Sequence, residues 1–98
     1  MITLGLYNRL VETTCEKMDV SRKDVESRTH RHAAAHTRWI IWDIMRDVYE
    51  MSIAQTAHYC GRHRTTVAHG YQQFPKLIER EPELKLIRDV VRRHLALA

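Results

Sequence analysis

Apolar residues recur every three or four positions along almost the whole chain, and only three glycines and two prolines interrupt them. That is the helical period, so the chain reads as all-α, a compact bundle of about six helices. Leu4, Tyr7, Val11, Thr14 or Cys15, and Met18 form one stripe and predict a first helix over about Thr3–Lys17. Ser21, with Asp24 three residues on, predicts the capped start of a short second helix. A basic loop, "RTHRHAA", follows. The strongest pattern, "AHTRWIIWDIMRDVYE", predicts a central third helix with Ile41, Ile44 or Met45, and Val48 on one face and Arg38, Asp43, Arg46 and Asp47 on another.

Ser52 and Gln55 repeat the capping pattern and open a fourth helix that stops at Gly61, where a positive φ is easy. A fifth, over about His63–Phe74, is expected to end near Pro75, because proline lacks a backbone donor. The last, from Glu83 to about Leu95, turns Leu84, Ile87, Val91 and Leu95 inward and Lys85, Arg88 and Arg92 outward, as a solvated face that also takes in Arg93. No repeat, low-complexity tract or linker divides the chain, which reads as one domain over residues 1–98.

The fourth and fifth helices meet the needs of a DNA-binding helix-turn-helix: a small residue at the crossing, a glycine in the turn, and a β-branched anchor. Ala57 is the small contact, Gly61 lies four residues later, and Val67 six after that. At about 100° per residue, Val67, Tyr71 and Phe74 share the inner face of the fifth helix, and Thr65, His69 and Gln72 the outer one. Arg64 and Ala68 flank the polar stripe on one side, Thr66 and Gln73 on the other. Arginine can grip guanine O6 and N7, glutamine can do likewise at adenine, and threonine can meet a thymine methyl or a phosphate.

Charge strengthens this reading through its distribution. The net charge is +4, yet Ser27–Trp42 and Met51–Ile78 hold no Asp or Glu and contain six of the seven histidines. One positively charged side suits a polyanion.

"VSRKDVESRTHRHAAAHTRWIIW" followed by "SIAQTAHYCGRHRTTVAHG" resembles the C-terminal DNA-binding domain of the bacterial replication initiator DnaA, a helical domain of the same broad class as the Trp repressor. The resemblance covers about Val20–Phe74 and rests on Gly61, Arg62, Thr65, Thr66, Val67 and His69, with Arg38 in the place of the long helix's arginine. It implies a recognition helix in the major groove of double-stranded DNA and a basic loop, Arg28–His32, in the minor groove. Carried over by position, His63, Arg64 and Thr65 would face bases beside the outward His69 and Gln72; Arg38, Arg62 and Thr66 would face phosphates, and Arg28 or Arg31 the minor groove. His63 stands where the family has Asp, Arg64 where it has His, and the turn has one glycine fewer, so a different target sequence is expected. A regulator of transcription or replication is the function implied.

Other classes are weaker. No glycine precedes a lysine, so no phosphate-binding loop for a nucleoside triphosphate exists in these residues, and neither a cofactor nor catalysis is expected. His32 with His36, and Cys60 with His63, raise a metal site, but carboxylates are absent from those windows and arginines would repel a dication. Cys15 and Cys60 read as free thiols, Cys60 as a small buried residue under the turn. Trp39 and Trp42 could anchor a homodimer or a protein partner, which would make the chain an interaction adaptor; a non-specific nucleoid-binding protein is the other alternative. With no apolar span and a polar N-terminus, a cytoplasmic, nucleoid-associated protein is expected.

Overall fold

A computed structural model describes residues 2–96. Among them are six helices and no strands: α1 Leu4–Met18, α2 Arg22–Glu26, α3 His32–Asp47, α4 Ile53–Cys60, α5 Arg64–Arg80 and α6 Pro82–Ala96. The caps explain most boundaries. The Thr3, Ser21 and Ser52 hydroxyls accept from the backbone N–H groups of Leu6, Asp24 and Gln55, and the Gln55 side chain closes a full capping box on Ser52. α1 ends at Asp19 (φ 54°) and α4 at Gly61 (φ 66°), both left-handed.

α3 packs against every other helix, which corrects its expected two-faced character. Contacted by all five, it buries Arg38 and Asp43 along with Ile40, Ile41, Ile44 and Met45, while Arg46 and Asp47 stay exposed as expected. Val48, expected inside, lies past its C-terminus and is 41% exposed. α3 also begins earlier than expected, because Ala33–Ala35 are strong helix formers and draw His32 into the first turn. On α1, Leu4 is outside while Leu10, Val11, Thr14 and Cys15 are inside.

Pro75 does not end α5. It sits on the exposed side, and the helix runs on to Arg80. The proline ring and the missing hydrogen bond cost about 3 kcal/mol. Leu77, 1% exposed, continues the Val67, Tyr71 and Phe74 stripe into the core, and burying such a side chain returns about 1.5–3 kcal/mol. α6 then folds back, with Leu84, Val91 and Leu95 inward as expected. Arg88 is not on a solvated face: it reaches Asp43 at 3.3 Å, while Arg92 pairs with Asp47 at 2.8 Å.

Candidate nucleic-acid interface

The crossing of α4 and α5 is closed by small and branched residues at the expected places. Ala57 and Val67 are 2% and 0% exposed, and the Ala57 carbonyl accepts from the Arg62 N–H at 2.8 Å to finish the turn. Thr56 and Tyr71 add a polar contact across the crossing, the Tyr71 hydroxyl donating to Thr56 Oγ1 at 3.1 Å. Burial pushes the Tyr71 phenol above its ordinary range, so it stays a donor.

α5 crosses α3 at Gly70. A Cβ there would stand 2.7 Å from Trp39 Cδ1 and 2.8 Å from Trp42 Cε3, so glycine is what lets the two helices touch. Trp42 is buried and Trp39 half-buried beneath this contact, which removes Trp42 as an exposed anchor for a partner. The Trp39 edge meets His36 at 5.4 Å and His69 at 6.1 Å between ring centroids.

This contact holds the outer face of α5 at one rim of a groove of about 1470 Å³, too large and open for an enclosed small-molecule pocket. The loop between α2 and α3 contributes Arg28 and His30 to the same groove, and α3 contributes His32, His36 and Trp39. Arg62, His63, Thr65, Thr66 and His69 line the α5 side, and Glu26 and Glu81 are its acids. Arg64 and Gln72 stand exposed on α5 outside this lining, as does Arg31, 77% exposed with Asp24 at a distant 3.9 Å.

Three of the expected site residues also make structural hydrogen bonds. Arg38 is 7% exposed and turned inward: Nε donates to the Val25 carbonyl at 2.8 Å, Nη1 to Thr29 at 2.8 Å, and Nη2 to Asp24 and Ser27 at 2.9 Å each. A guanidinium so committed is a brace for the loop, and Arg38 also borders the groove. Burial, and next the nearby Arg62 charge, lower its pKa. Arg62 divides its role, with Nη2 donating to the Val25 and Ser27 carbonyls at 2.7 Å each while the residue lines the groove. His63 also has a second duty. It caps α5, its Nδ1 accepting from the Thr65 N–H at 3.2 Å and lying 2.8 Å from Thr65 Oγ1.

The family model for the bacterial DnaA protein helix-turn-helix matches residues 7–73. The chain belongs to that family. The match runs from α1 into α5, so the capped α2, the loop, the long α3 and the turn all lie inside the DnaA helix-turn-helix span. No curated protein matches the chain. The DnaA family is one of DNA-binding domains rather than catalysts, and membership supports binding of double-stranded DNA.

His63 lies inside the DnaA helix-turn-helix span. At the head of α5 the Nδ1 of His63 supplies the acceptor for the Thr65 backbone N–H that an N-cap position requires. Sequence reasoning missed His36, Trp39 and Arg80 as groove residues. Gly70 was the available signal for Trp39, since a helical glycine opposite tryptophans marks a close approach. Arg80 was hidden by ending α5 at Pro75. Burial lowers the His36 pKa, with Glu81 opposing and His32 and Arg80 adding to the shift. The Cys60 thiol lies between the Tyr7 hydroxyl and the Met45 sulfur at 3.8 Å each, and burial raises its pKa. Among the described residues, no three of His, Cys, Asp and Glu converge as metal ligands.

Proposed function

We propose that this protein binds double-stranded DNA with sequence preference and acts as a regulator of transcription or replication in the bacterial nucleoid. The first turns of α5 enter the major groove, where His63, Arg64 and Thr65, followed by His69 and Gln72, meet base edges. Arg28 and Arg31 reach the adjacent minor groove, and Arg62 and Thr66 meet the phosphates between. The observation that supports this reading is that residues of the basic loop and of the outer face of α5 line one open groove.

The test is fluorescence anisotropy of a labelled mixed-sequence duplex across a salt series, followed by selection from a random duplex pool. About five phosphate contacts give a slope of log affinity against log salt of roughly -4 to -5. Binding that ignores salt would sink the proposal. A steep slope with no enriched motif would leave a non-specific nucleoid protein in its place.

A further inference from the structure

The same two carbonyl oxygens, those of Val25 and Ser27, each accept from two arginines rooted in different elements. Arg38 comes up from α3, and Arg62 comes across from the turn between α4 and α5. Bringing like charges together is unfavourable unless the acceptors compensate both. Here they do, because the carbonyls crowd at the C-terminal end of α2, the negative pole of a helix, and Asp24 and Glu26 of the same helix lie close by. Arg38 alone would suffice to hold the loop on α3. Arg62 adds something α3 cannot: its backbone N–H is bonded to Ala57, and the next residue caps α5.

We propose that Arg62 is a positioning residue that latches the basic loop to the helix-turn-helix, so that the two DNA-reading elements hold one spacing before DNA arrives. This inference rests on the DNA-binding reading above. A latched loop gives up little conformational entropy on binding, whereas a loose loop must be ordered at that moment. The latch also makes Arg28 and Arg31 depend on Arg62, though neither touches it among the hydrogen bonds of the described residues. A residue that only met a phosphate would act independently of the loop arginines.

Arg62→Met keeps the aliphatic stem and removes every donor. In the free protein, hydrogen exchange of the Ser27 and Thr29 amides, which are bonded to Lys23 O and Ser27 Oγ, is expected to speed up about tenfold or more, while the Val67 and Tyr71 amides of α5 hold. On a mixed-sequence duplex at low salt, Arg28→Ala is expected to weaken binding about tenfold in the unchanged protein and no more than about twofold beside Arg62→Met. Unchanged loop exchange overturns the latch, and so do losses from Arg62→Met and Arg28→Ala that simply multiply. Should Arg62→Met fail to fold, Arg62→Gln, which keeps an amide but not the reach of the fork, carries the same measurements. If the unchanged protein binds no duplex, the DNA-binding reading falls and the positioning role with it. The exchange data would still show whether the loop is held.

Discussion

Asp43 of α3 and Arg88 of α6 meet at 3.3 Å with only 10% and 17% of their side chains exposed. The second carboxylate oxygen is held by Arg46 at 3.2 Å, so the charge sits between two guanidiniums at the packed side of the bundle. Removing one partner of a buried pair strands the other, at a cost of 3–5 kcal/mol when burial is complete. Here Arg46 remains and some solvent enters. Arg88→Met is therefore expected to cost about 1–2 kcal/mol, read as a lower urea midpoint at unchanged m-value. Since Arg88 does not line the groove, duplex affinity of the folded variant should not move.

Gly70→Ala sets two effects against each other. Alanine is better than glycine in a helix by about 1 kcal/mol. The added methyl, however, falls under 3 Å from ring atoms of both Trp39 and Trp42, and neither packed indole can swing away cheaply. Overpacking of this kind costs about 1–3 kcal/mol. The net expectation is a loss of stability with a change in tryptophan fluorescence; a variant as stable as the parent would refute the close crossing.

His36 makes stability depend on pH with a definite sign. Burial lowers its folded pKa below the ordinary 6.5, so the unfolded chain takes up a proton more readily than the folded one. The stabilisation is present above about pH 6.5 and is lost as pH falls through the folded value. Thermal melts at stepped pH should show Tm falling below that point. His36→Gln should flatten the decline, and an equally steep decline in the variant would count against the assignment.

Arg64 and Arg38 should fail in different ways. Arg64→Ala, at an exposed site, is expected to leave unfolding unchanged, to cost about 1–3 kcal/mol of binding on the selected site, and to relax base preference there. Arg38→Ala strips four carbonyl bonds from a buried position and should cost at least about 2 kcal/mol of folding stability even without DNA. Parallel melting and binding curves separate the two.

The helix-turn-helix was legible because its signals are local. Ser52, Gln55, Ala57, Gly61 and Val67 each specify something within a turn or two of themselves, and the structure places all of them as expected. The errors fell where distant packing overrides a local rule. Pro75 is a breaker only if nothing beyond it needs burying, and Leu77 does. Arg38 and Asp43 look like solvent-facing charges on α3 until α2, the loop and α6 enclose them. Of the candidate site, periodicity identified the outer face of α5, but no periodicity could reveal that the carbonyls of Val25 and Ser27 would recruit Arg62 across 35 or more positions of chain.

The His63 cap changes what an incoming polyanion meets. A carboxylate there would set a full negative charge against the roughly half positive charge at the start of a helix. Nδ1 in its acceptor form satisfies the same N–H with no charge, and the first turn of α5 contains no acid. With an imidazole rather than an acid as the cap, the field at the tip of α5 stays unquenched, which favours any phosphate regardless of the base beside it.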